Sequence, residues 1–194
     1  MGHPRIDILP GAYLMAALLL LLLPLGWIVS WAAAAMVHEL FHIFVISMCG
    51  GMIRQIRIGS FGAEIEIGYM SPFRELLCAL AGPAGGLLML LLFRWLPLMS
   101  ALALLQSVCN LLPVYPLDGG RALRCVLEMT AGEDWAEKIS GIINRIVPVF
   151  MLLIAVWACI YWKLGYCVLL PPLLLSIKYL PRKIPCKRRG LGLQ

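Results

Sequence analysis

Met36-Val37-His38-Glu39-Leu40-Phe41-His42 places two imidazoles and a carboxylate inside an almost unbroken apolar run. On a helix, His38 and His42 share one face, because residues four apart are neighbours. Glu39 follows the first histidine directly. The spacing is that of HExxH, in which two metal ligands flank a general base. An ionisable side chain at a bilayer centre costs about 2.5–3.5 kcal/mol on insertion scales, so such residues are functional candidates. The fold therefore turns on whether this run crosses a membrane.

Composition favours crossing. The chain has 194 residues, of which 62% are hydrophobic and 13% charged, and its mean hydropathy is +0.91. A soluble domain of that size needs a far more polar surface. About 20 apolar residues make one span, which leaves room for six spans and no sizeable soluble domain. The net charge of +6 fits cytoplasmic flanks against anionic lipid, with no nucleic-acid partner expected. None of the seven cysteines forms a CxxC pair, so free thiols in apolar segments are expected rather than a disulfide framework.

Outward from the motif, a first apolar block runs from Ile8 to Leu23 and is read as a retained span rather than a cleaved signal. Pro24-Leu25-Gly26 is a turn signal. The motif block, Trp27 to Met48, stops at Cys49-Gly50-Gly51. Ile53 to Ile67 alternates polar and apolar residues about a Gly-rich turn and predicts a β-hairpin with opposite charges on its two strands. A third span, Phe73 to Leu96, contains Ala81-Gly82-Pro83-Ala84-Gly85-Gly86. These small residues allow a helix or a substrate to approach closely. A fourth block, Leu98 to Leu112, breaks at Pro113 and Pro116 and ends in Asp118-Gly119-Gly120-Arg121. Thr130 with Glu133 fits a capping box leading into a fifth span, Ile142 to Tyr161. A sixth span, Leu164 to Leu180, precedes a basic tail.

The expected fold is an all-α polytopic membrane protein with six transmembrane helices and a short β-hairpin between the second and third. It is one membrane-embedded domain, residues 1–194, with a core at 24–124 and C-terminal spans and tail at 125–194. With both termini cytoplasmic in the cell membrane, 14 of the 16 Lys and Arg residues fall on the cytoplasmic side, and only Arg94 and Lys163 fall outside.

A catalytic zinc takes three protein ligands and keeps one open position. His38 and His42 supply two. The chain's other histidine is His3, at the extreme N-terminus, and is read as a solvated flank. The third ligand is then a carboxylate or thiolate. Asp118 is the strongest candidate, because it sits at the end of an apolar span beside two glycines expected to permit a sharp turn. Counting residues from the nearest turns puts Asp118 and His42 at similar depth. The chemistry expected of such a set is metal-assisted peptide hydrolysis, with Glu39 as proton carrier.

With those residues in view, the chain resembles the site-2 proteases, a family of zinc intramembrane metalloproteases. His38-Glu39-Leu40-Phe41-His42 and Asn110-Leu111-Leu112-Pro113-Val114-Tyr115-Pro116-Leu117-Asp118-Gly119-Gly120-Arg121 match its two signature motifs. The order of hairpin, Ala-Gly-Pro and Pro-Leu-Asp-Gly-Gly resembles the stage IV sporulation protein FB branch. The resemblance implies Zn2+ held by His38, His42 and Asp118, with Glu39 as catalytic base. It further implies Asn110 acting near substrate or metal, or bonding a neighbouring helix. It implies a hairpin, including Phe61 and Gly62, that presents an edge to substrate, with Pro83 as a further contact. The implied substrate is a membrane-tethered protein cut near the cytoplasmic face, a pro-sigma factor in the sporulation branch, with inhibitory membrane proteins as partners. Phe41 stands where the family usually has Gly. The alternatives are a multi-span metal or ion transporter, although no inverted repeat is visible, and an inactive membrane scaffold, although the ligands and base are complete.

Overall fold

A computed structural model describes residues 5–59 and 62–162. The sixth span, the basic tail, His3, Phe61 and Lys163 lie outside the described residues. Six helices and three strands are present among those described: β1 (Arg5–Ile8), α1 (Pro10–Leu22), α2 (Leu25–Met48), β2 (Ile53–Gly59), β3 (Gly62–Ile67), α3 (Pro72–Leu88), α4 (Pro97–Asn110), α5 (Asp118–Ala131) and α6 (Glu133–Trp162).

Three segments are long and apolar enough to cross a membrane: Leu25–Met48, Pro72–Leu92 and Glu133–Tyr161. The second joins α3 to the 3-10 turn Met89–Leu92. Helices α1 and α4 are apolar but shorter, with 13 and 14 residues, or about 20 Å each against a hydrocarbon core of about 30 Å. The described residues thus give three candidate spans and two shorter apolar helices where six spans were expected. Apolar side chains face outward throughout. Leu21 is 82% exposed and Phe44 62%, which suits lipid as the surrounding solvent.

The hairpin forms as the alternation predicts. Strands β2 and β3 pair antiparallel, and Arg57 lies 3.7 Å from Glu66 across them. Both side chains are about half exposed, so the pair adds little stability. The sequence reading missed β1, which pairs in parallel with β2. Because β1 precedes α1 and β2 follows α2, the start of α1 and the end of α2 lie at the same end of the bundle.

Packing between helices relies on small residues. In α2 the buried positions recur every fourth residue: Ala34, His38, His42 and Ile46. Facing them, α3 buries Cys78, Ala79, Ala81, Gly82, Pro83, Gly85 and Gly86. A Cβ at Gly85 would overlap the Phe41 ring, and one at Gly86 would overlap the Ser107 hydroxyl of α4. The bulk of Phe41 is therefore accommodated by the absence of a side chain at Gly85. Helix α4 buries Ser100, Ala103 and Ser107, and Ser100 donates to the Met89 carbonyl at 2.8 Å.

Two local expectations need correction. Thr130 does not cap a helix, because it lies inside α5 and its hydroxyl donates back to the Val126 carbonyl at 2.8 Å. The break comes instead at Gly132, whose φ of +86° favours glycine, and α6 starts at Glu133. Gly119 and Gly120 likewise make no sharp turn. They are helical and are required by proximity, since a Cβ at either would overlap backbone atoms of the Leu111–Tyr115 segment.

Gly85→Ala is expected to destabilise the protein by about 1–3 kcal/mol through overpacking, and Phe41→Ala in the same chain is expected to recover part of that loss. Denaturation of both single variants and the double variant in detergent measures the coupling. Additive losses would show that the two positions do not pack together.

Candidate metal centre

His38 and His42 project from adjacent turns of α2, and both are buried. Asp118, the first residue of α5, is 7% exposed and meets them. Its Oδ2 lies 2.9 Å from His38 Nε2 and 3.1 Å from His42 Nε2, and the two Nε2 atoms are 3.2 Å apart. Residues distant in sequence thus converge on one point.

The protonation pattern decides what that point can hold. His42 Nδ1 is 2.7 Å from the Cys78 carbonyl, which can only accept, so Nδ1 carries a proton. In a neutral imidazole His42 Nε2 then bears a lone pair, and it faces a carboxylate oxygen that also bears lone pairs. Two acceptors at 3.1 Å require a cation between them, either a second proton on His42 or a metal ion. Ligands at about 2.0–2.1 Å around a tetrahedral zinc are roughly 3.3 Å apart, close to the separations observed. His38, His42 and Asp118 are therefore a possible metal site, and their chemistry fits zinc.

Neighbouring groups shape the site. Asn110, at the end of α4, points Nδ2 at His38 Nε2 from 3.1 Å, so it joins α4 to α2 and also faces the metal locus. Arg121, one turn after Asp118, places Nη1 3.8 Å from the other carboxylate oxygen, Oδ1. A Cβ at Gly82 would overlap the Nε2 atoms of both histidines, so Gly82 leaves the volume that the imidazoles and an ion need. His38 Nδ1 is buried without a hydrogen-bond partner. Glu39 lies next to this set on α2 and is half-buried.

The remaining candidates are not gathered here. Pro83 is fully buried within α3, so it packs between helices rather than facing an open surface. Gly62 begins β3 opposite Gly59, at the turn end of the hairpin. The sequence reading gave no site role to Gly82, Arg121, the Cys78 carbonyl or Asn144. Asn144 is 7% exposed on α6, and its Oδ1 accepts the Tyr115 backbone N–H at 2.8 Å. An amide within an apolar span was the available signal, the same one that marks Asn110. Among the described residues, Cys49, Cys78, Cys109, Cys125 and Cys159 form no disulfide. Burial pushes the Cys125 thiol, on α5, up to about 12, which leaves it unreactive.

Comparison with known proteins bears on what this site belongs to. Residues 90–154 match the model of peptidase family M50. The match takes in Asn110, Asp118 and Asn144 but not the HExxH motif. A zinc metalloprotease of Methanocaldococcus jannaschii is 29% identical over 134 residues, which is 62% of this chain and 40% of that protein. The chain thus spans less than half the length of this curated relative. The solved structure of a site-2 protease from Methanocaldococcus jannaschii superposes with a TM-score of 0.69 at 22% identity, covering 92% of this chain and 90% of that one. The fold is that of this site-2 protease, and the other two likenesses are to M50 peptidases and a zinc metalloprotease.

Wild-type protein is expected to carry about one zinc per chain, and Asp118→Ala and Gly82→Ala to lose most of it. Metal analysis of purified protein tests this. Equal zinc in Asp118→Ala would remove the carboxylate from the ligand set.

Proposed function

We propose that this chain is an intramembrane zinc metalloprotease that hydrolyses peptide bonds of membrane-tethered proteins near the cytoplasmic face. One observation carries the reading: His38 Nε2, His42 Nε2 and Asp118 Oδ2 converge within hydrogen-bonding distance, with Glu39 alongside, in a helix otherwise suited to lipid. The likeness to M50 peptidases supports hydrolysis over transport or scaffolding.

In this proposal the two histidines and Asp118 hold zinc. When bound, zinc acidifies water and polarises a carbonyl oxygen. Glu39 accepts the proton from the attacking water and returns it to the leaving amine. The Cys78 carbonyl keeps His42 in the tautomer whose Nε2 faces the metal. The Asn110 amide, already directed at the same locus, donates to the oxygen of the bond being cut. Strand β3 lies at an edge of the sheet, and an extended substrate can add to that edge, which begins at Gly62.

The sheet end of the bundle is assigned to the cytoplasm because Arg54 and Arg57 lie in β2, and the proposal keeps both termini cytoplasmic. A membrane-associated pro-sigma factor is the substrate proposed by resemblance to the sporulation branch, with regulated intramembrane proteolysis and inhibitory membrane partners as its setting.

The test is co-expression with tethered proteins whose labile segment lies near either the cytoplasmic or the outer face. Only the first should be cut. Glu39→Gln is expected to slow that cleavage by about 10²–10⁴-fold while zinc stays bound. Wild-type rates in Glu39→Gln would dismiss Glu39 as the base, and cutting of the outer segment alone would reverse the orientation.

A further inference from the structure

We propose that Asn144 is a positioning residue for Asp118, acting from α6 through a single hydrogen bond to the backbone of the intervening segment. The inference rests on the metal-centre reading above. Asp118 is the first residue of α5, so its place depends on the segment that leads into it, Leu111–Leu117. That segment is held from two sides. From below, Gly119 and Gly120 bring the first turn of α5 so close that a Cβ on either would overlap the Leu111 and Leu112 carbonyls or the Val114–Tyr115 backbone. Internally, Val114 is fully buried, its N–H reaches the Leu112 carbonyl at 2.7 Å, and the Leu117 N–H reaches the Val114 carbonyl at 2.9 Å.

From the other side comes Asn144. Its Oδ1 accepts the Tyr115 N–H at 2.8 Å. A backbone N–H can meet only an acceptor, so the bond itself fixes which way the amide points. Asn144 belongs to a buried stripe on α6, with Ala136, Ser140 and Pro148, at four-residue spacing. The stripe's other members are small or carry no comparable acceptor, so the bond to Tyr115 is specific to position 144. It ties the ligand-bearing segment to a different helix from the one that carries the histidines. Loss of the acceptor frees Tyr115, three residues before Asp118, and lets the carboxylate drift from the imidazoles. Neighbours that orient metal ligands typically change affinity by about 10–100-fold when removed.

The experiment is a zinc-affinity measurement on the full chain in detergent, by competition with a chromophoric chelator, alongside the thermal midpoint of the metal-free protein. Asn144→Leu keeps the size and removes the acceptor. Asn144→Asp keeps an acceptor oxygen. Ser140→Ala perturbs the same buried face one turn away. The expected result is a Kd for zinc raised about 10–100-fold in Asn144→Leu, with Asn144→Asp and Ser140→Ala close to wild type and similar midpoints for all. Should Asn144→Leu not accumulate, Asn144→Ala is read in its place. Unchanged affinity in Asn144→Leu, or equal losses in the Leu and Asp variants, overturns the inference while leaving the metal centre intact. Failure of the wild type to bind zinc overturns the metal-centre reading and this inference with it.

Discussion

Three electron-pair donors lie within 3.2 Å of one another inside an apolar helical bundle, and the rest of the structure answers to that constraint. His42 Nε2 and Asp118 Oδ2, both acceptors 3.1 Å apart and away from bulk water, repel unless a cation joins them. The Cys78 carbonyl sharpens the requirement, because it accepts a hydrogen bond from His42 Nδ1–H and leaves Nε2 as an acceptor. Burial of His38, His42 and Asp118 is then intelligible as the cost of a metal site. Burying three ionisable groups in such surroundings is costly, which marks them as candidates for function.

The surrounding helices are shaped to permit the convergence. Gly82 leaves space at the imidazoles, Gly85 leaves space for Phe41, and Gly86 admits Ser107. One short stretch of α3 thereby serves the ligands, the motif's bulkiest side chain and the next helix. Gly119 and Gly120 perform the same service on α5. Apolar surfaces give little driving force between helices in lipid, so close approach and specific polar contacts must supply the cohesion. The hydrogen bonds from Ser100 to Met89 and from Tyr115 to Asn144 are contacts of that kind.

The parts legible in the sequence were those where polarity conflicts with its surroundings. His38, Glu39 and His42 stand out in an apolar run, and Asp118 stands out at the end of another. The hairpin announced itself through period-two alternation about a Gly-rich turn. Helix α2 began within two residues of the expected position, because Pro24 marks its start. What escaped notice depends on distant partners. Strand β1 has four residues and becomes a strand only through β2, which lies some fifty residues further on. Gly82 looks like any small residue in a packed helix until the imidazoles beside it are known. Thr130 and Glu133 satisfy a capping pattern locally, yet the left-handed Gly132 between them sets the helix boundary. Phe41, unexplained by the motif alone, finds its reason in Gly85.

The central claim is that one zinc ion is held by two imidazoles and one carboxylate drawn from α2 and α5. X-ray absorption at the zinc edge on purified protein addresses it most directly. The account predicts nitrogen and oxygen ligands at about 2.0–2.1 Å, an imidazole signature corresponding to two histidines, and no sulfur. A sulfur shell at about 2.3 Å, or an imidazole signature that survives unchanged in a chain lacking both His38 and His42, would contradict it.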